Sequence, residues 1–160
     1  MAINLIAARE NDAKIIAELK HTIWCTTYRG IYSDEIIDNF DYEEHIKRNL
    51  CLIKNPACHV YLIMDEESPI GYFALMNSET VYIQSLYICQ EYQHQGIGRR
   101  VFAFIKRYCQ ENGTDKFSCN CNSHNVSAQG FYRAMGGTII GRDEGHVDKR
   151  DDQITFAFRL

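Results

Sequence analysis

The join between a strand-like run and a helix at residues 91–98 constrains this chain more than any other feature. The apolar run TVYIQSLYICQ leads into EYQHQGIGRR. From there to about Asn112 the residues Ile97, Val101, Phe104, Ile105 and Tyr108 recur at helical spacing. Asn112-Gly113 reads as the end of that helix. Gly96 and Gly98 therefore stand at its mouth, where glycine permits positive φ. The first turn of a helix has unpaired N–H groups and a partial positive charge. Glycines let an anion approach those amides closely. His94, Arg99 and Arg100 do not repel an anion, and the nearest acid, Glu91, lies on the strand side. Two readings stay open here: a bare turn and a phosphate cradle. The dinucleotide fingerprint fails because its third glycine position holds Val101. A P-loop fails because Gly98 is followed by Arg99-Arg100 instead of Lys-Ser/Thr.

The rest of the chain reads as one mixed α/β domain over residues 1–160, without repeats or linkers. Residues 3–8 predict a first strand, and Asn11 or Asp12 suits the cap of a helix carrying Ile16, Leu19, Ile23 and Thr27 on its apolar face. The pattern breaks at Gly30 and restarts after Ser33; residues 42–53 predict a further helix, ended by Asn55-Pro56. CHVYLIMD and PIGYFALMN read as a hairpin across EESP. KFSCNC reads as a strand, NVSAQGFYRAM as a helix ended by Gly136-Gly137, and TIIGR and QITFAFRL as closing strands. The last of these suits either an interior strand or an exchanged edge, which leaves a homodimer open.

Net charge of -4 argues against nucleic acid as a main partner, because phosphate-backbone binders are usually basic. No apolar run approaches the roughly 20 residues of a membrane span, and residues 1–10 lack a signal-peptide pattern, so the expected compartment is the cytoplasm. The seven cysteines are scattered and mostly lie in apolar segments, as reduced thiols do. Cys119-Asn120-Cys121, with His124 nearby, lacks zinc-ligand spacing, so no metal is expected.

Strand, then Gln/Arg-x-x-Gly-x-Gly/Ala, then helix resembles the hallmark of the GNAT superfamily of N-acetyltransferases. Gln93, Gly96 and Gly98 fall on it. A second match lies downstream, where Asn125, Ala128, Phe131, Tyr132 and Gly136 fit the family's Asn-x-x-Ala-x-x-aromatic-Tyr helix and its glycine turn. Taken alone, that segment is also an ordinary core-facing helix, with Asn125, Ala128 and Tyr132 on one stripe. The resemblance implies a single-domain fold with a mixed central sheet of about six or seven strands flanked by helices. It implies acetyl-CoA as cosubstrate and direct transfer to a primary amine in a ternary complex. By the same resemblance, the amides of His94, Gln95, Gly96, Ile97, Gly98 and Arg99 hold the pyrophosphate. The backbone of Leu86 and Ile88 pairs with the pantetheine arm and the acetyl group, and Tyr87 between them belongs to the same cofactor-binding set. Asn125, Ala128, Phe131 and Tyr132 complete the donor site, with Tyr132 as the acid that protonates the leaving thiolate.

Many family members carry a Glu base two residues before the strand Leu; here that position is Gln84. Glu79, or a water held by backbone carbonyls and Tyr87 or Tyr28, is an alternative. Trp24, Tyr28, Tyr32 and Gln84 are the expected acceptor residues, since aromatic rings suit an ammonium group. The expected acceptor is a small-molecule or amino-acid-like amine. A protein or peptide amine, and a non-catalytic acyl-CoA sensor, are alternatives.

Overall fold

The computed structural model describes residues 1–160, with the side chain of Lys149 left aside. A seven-stranded sheet in the order β1-β2-β3-β4-β5-β7-β6 forms its middle. The strands are β1 (Ile3–Ala7), β2 (Cys58–Asp65), β3 (Ser68–Asn77), β4 (Val81–Ile88), β5 (Lys116–Asn122), β6 (Thr138–Asp143) and β7 (Gln153–Arg159). All neighbours are antiparallel except β4 and β5. That parallel pair needs a crossover, and α4 (Ile97–Glu111) supplies it. β7 lies between β5 and β6, so the C-terminal run is an interior strand and the edges are β1 and β6.

Both faces of the sheet are covered. One carries α4 and α5 (Val126–Ala134), with Phe73, Ile105, Phe117, Phe156 and Phe158 buried between them and the strands. The other carries α1 (Ala13–Ile23) and α3 (Tyr42–Lys54), which pack on each other, with Ile16, Leu19 and Ile23 of α1 against Leu62, Tyr72 and Ala74. On β3, Tyr72 and Ala74 point to this face while Phe73 and Leu75 point to the other. This is why that strand reads as continuously apolar in sequence.

Local chemistry sets the helix ends. Asn112 closes α4, and Gly113 follows at φ 70°. Ser33 caps α2 (Asp34–Asp38) through Ile36 N–H, and Asp41 caps α3 through Glu44 N–H. The first helix departs from expectation at both ends. Asp12 accepts from Arg9 N–H at 2.7 Å, upstream of the helix, and does not cap α1. The α-helix also stops at Ile23, and residues 24–28 form a wider π turn, a feature frequent at functional sites. That turn places Trp24 edge-to-face against Tyr32, Phe40 and His45, with Lys20 over its ring at 5.2 Å.

His45 stacks on Phe40 with ring centroids 4.1 Å apart. Burial, with Lys20 and Arg48 nearby, pulls its pKa down to about 4, against the pull of Asp41 and Glu44. The unfolded chain therefore binds a proton below about pH 6.5 that the folded chain refuses. Stability falls as pH drops from about 6.5 toward 4, by about 1–2 kcal/mol once solvent around the ring is allowed for. Urea unfolding at pH 7 and pH 4.5 measures this. His45→Gln should flatten that part of the profile, and an equal acid loss in the variant would assign it elsewhere.

Candidate functional site

The site begins where β4 leaves β5. Their pairing ends at Ile83↔Cys119. On the other side, β3 pairs Ala74 with Ser85 but Leu75 with Ile83, so Gln84 is an extra residue, a β-bulge. A bulge bends its strand, and beyond this one β4 stays with β3 alone. Residues on an antiparallel strand alternate in hydrogen-bonding direction. Cys89 N–H donates to Ile70 O on the β3 side at 2.9 Å, so the polar groups of Leu86 and Ile88 face away, toward the gap. Gln93 Nε2 donates to Ile88 O at 2.9 Å, which ties the following turn to the strand end.

That turn presents its amides. His94 has φ 59° and Gly96 φ 81°, and Gly96 is the N-cap of α4. Left-handed residues interspersed with right-handed ones make an anion-binding nest of N–H groups, here at the positive end of a 15-residue helix. Gly98 has a different duty. A Cβ there would lie 2.7 Å from Cε2 of Phe131, so its bare backbone lets α5 close on α4.

Asn125 lies just outside α5 and is its N-cap, accepting from Ala128 N–H at 3.1 Å. It is thus a turn-forming residue and not a member of a helix stripe. Tyr132 is buried among Phe102, Phe156 and Phe158, near Cys119. Burial, then the neighbouring thiols Cys119 and Cys121, pushes its phenol well above the ordinary range and keeps it protonated. From the opposite face, Tyr28 of the π turn reaches Asn125 and Tyr87. Burial pushes Tyr28 up to about 12 and raises Tyr87 and Tyr32 as well.

These elements enclose a cleft of about 1240 Å³. Leu86, Tyr87, Ile88, Gln93, His94, Gly96, Ile97, Gly98, Arg99, Asn125, Ala128, Phe131 and Tyr132 all line it, as do Tyr28, Tyr32 and Gln84. Gln95 does not: its side chain turns back to Glu91 O at 2.7 Å. Trp24 stands behind the wall, edge-to-face against Phe40. Glu79 sits at the β3–β4 turn, outside the cleft, with the first residues of β4 between it and Gln84.

Sequence reasoning missed Thr26, Thr27, Cys121 and Gln153 in the lining. Only the threonines carry a trace, as polar residues beside Tyr28. Cys119 and Cys121 are buried, and His124 pairs with Asp152 at 3.1 Å instead. Among the described residues, no group of three or more His, Cys, Asp or Glu stands ready to hold a metal ion, and no helix is long and apolar enough to cross a membrane.

Comparison with known proteins gives a consistent picture. Residues 17–136 match the family model described as acetyltransferase (GNAT) family. A curated spermidine N(1)-acetyltransferase of Thermoplasma acidophilum is 23% identical over 137 residues, covering 82% of this chain and 84% of that protein. Among solved structures, the PaiA N-acetyltransferase of Thermoplasma acidophilum in complex with coenzyme A superposes with TM-score 0.85 at 19% identity, over 100% of both chains. An acetyltransferase from Thermus thermophilus gives TM-score 0.76 at 18% identity, over 100% of this chain and 98% of its own.

The Gly98–Phe131 contact yields a coupling test. Gly98→Ala should destabilise by about 1–3 kcal/mol through overpacking. In a Phe131→Leu background the cost should shrink by at least half, because the colliding ring is gone. Urea unfolding of the four proteins measures it, and an undiminished cost would remove the packing explanation for this glycine.

Proposed function

Because the chain belongs to the acetyltransferase (GNAT) family, with 120 of its residues (17–136) inside the family match, we propose that it transfers an acetyl group from acetyl-CoA to the primary amine of a small-molecule acceptor. The observation that carries this reading is the parting of β4 from β5 beside an amide nest. Residues present fit the cosubstrate's chemistry at three points. The nest of residues 94–99, with Arg99 beside it, suits a pyrophosphate. The polar groups of Leu86 and the N–H of Ile88, which face the gap, suit an amide-bearing arm that adds to the strand edge, while Ile88 O is held by Gln93. Gly98, Ala128 and Phe131 keep the space between α4 and α5 narrow and apolar.

Acetyl-CoA supplies an activated acetyl thioester when bound. The chain's own residues supply the rest. Ile88 N–H is a donor for negative charge developing on a carbonyl oxygen. Tyr132 holds a phenolic proton in a buried position and is the general acid for a departing thiolate. Asn125 fixes the start of α5 and thereby the place of Tyr132. Tyr28, Tyr32 and Gln84 line the side from which the acceptor enters. The name of the Thermoplasma relative supports a small amine as acceptor.

Saturating acetyl-CoA should raise the melting temperature, since a ligand at 100 times its Kd stabilises by about 2.7 kcal/mol. An absence of any shift would remove the reading. Tyr132→Phe should lower kcat about 100-fold with acetyl-CoA affinity nearly intact. An unchanged kcat in a variant limited by chemistry would show that the phenol is not the acid.

A further inference from the structure

The acceptor half of the cleft has an inventory that bears on what enters it. Arg99, on the donor side, is the only Lys, Arg, Asp or Glu among the described lining residues. His94 is the only histidine among them, and it stands in the turn before α4. The other titratable groups of the wall are phenols and the Cys121 thiol. Burial pushes Tyr28 and Cys121 up to about 12. A base that works at neutral pH needs a pKa near neutrality, and neither a phenol nor a buried thiol has one. Gln84, at the bulge, carries an amide that takes no proton. Beyond Tyr32, the carboxylates it senses are Asp148 and Asp151 of the β6–β7 connection, and Arg150 pairs with them at 2.9 and 4.0 Å.

The wall itself is aromatic and neutral. Tyr28 and Tyr32 stack with centroids 4.7 Å apart and planes 18° from parallel, flanked by Ile23, Thr26 and Thr27. A polyamine would bring several positive charges to a surface without a carboxylate, and that desolvation would go uncompensated. Taking the transferase reading as given, we infer that the acceptor is a weakly basic aromatic monoamine that arrives already neutral: an arylamine, or the α-amine of an aromatic amino-acid amide or ester. No base is then needed. The amine lone pair forms the N–C bond and the C–S bond breaks; Tyr132 gives its phenolic proton to the departing thiolate, and the proton shed by the acylated nitrogen, acidic once the N–C bond forms, passes to water and restores the Tyr132 phenol, so protons balance. Basicity sets the scale. At pH 7 an amine of pKa about 10.4 is neutral in roughly 1 molecule of 2500, whereas an α-amine of pKa about 8 is neutral in roughly 1 of 10.

The test compares phenylalaninamide, p-anisidine, phenethylamine and spermidine as acceptors at saturating acetyl-CoA, from pH 6 to 9, with product read by mass. Phenethylamine shares the aromatic body of phenylalaninamide but is a strong base. At pH 7 phenylalaninamide or p-anisidine should exceed phenethylamine and spermidine in kcat/KM by at least about tenfold, the greater nucleophilicity of the strong bases offsetting part of the difference in neutral fraction. Across this range log kcat/KM should rise steadily with pH for phenethylamine and spermidine, level off near the acceptor's own pKa for phenylalaninamide and stay flat for p-anisidine. Which of the two weak amines is preferred separates the α-amine from the arylamine source. Gln84→Glu, which adds a carboxylate at the bulge, should narrow the gap. A better rate with spermidine or phenethylamine, one fixed inflection for every acceptor, or an unchanged gap in the variant would overturn the inference while leaving the transferase reading in place. Turnover of none of the four, together with no binding of acetyl-CoA, would remove both.

Discussion

The structure depends on a hydrogen-bond ladder that stops. β4 and β5 pair over three residues each, from Val81↔Phe117 to Ile83↔Cys119, and then part at the Gln84 bulge. A sheet interior normally leaves no backbone group without a partner. Here the parting leaves Leu86 and Ile88 facing a gap, and the chain compensates only at Ile88 O, through Gln93. A crossover helix begins beside the same gap, with its positive end and two left-handed residues directed toward it. A nest of amides at the positive end of a helix and a strand edge released from its neighbour therefore arise from one local irregularity.

The two faces of the sheet meet at that irregularity. Tyr28 comes from the helix layer on one face, Asn125 from the cap of α5 on the other, and Tyr87 from β4 between them. The Tyr28 hydroxyl joins the Asn125 amide and the Tyr87 hydroxyl beside the gap. Burial raises the phenols, so the region carries protons at neutral pH without carrying charge. A neutral, proton-bearing pocket next to the amide nest suits the proposed reaction, in which a thiolate leaves and an uncharged nucleophile attacks.

The turn before α4 and the α4–α5 contact were largely legible in the sequence because they use residues with special backbone demands. Gly96 marks a left-handed helix cap, and Gly98 marks a close approach of two helices. Both leave traces that no other residue type would leave. Asn125 was recognisable as a matching residue, but its spacing suggested a stripe, because a cap and a helical position one turn earlier look alike in sequence. The cleft wall formed by the π turn and the Gln84 bulge was less legible. The apolar pattern of the first helix runs smoothly to Thr27, so nothing announces the π turn that takes Trp24 out of the cleft and brings Tyr28 in. The bulge at Gln84 is one polar residue in an apolar run, indistinguishable from a half-exposed strand position. The absence of lining carboxylates depends on which loops converge, and sequence spacing does not carry that information.

The central claim is that the unpaired edge of β4 and the nest before α4 together hold the acetyl donor. Amide hydrogen exchange, resolved by residue with and without acetyl-CoA, tests it most directly. The account predicts slowed exchange at Leu86, Ile88 and the amides of residues 94–99, with little change on β6 at the far edge of the sheet. Binding of acetyl-CoA with unaltered exchange at those amides would contradict it.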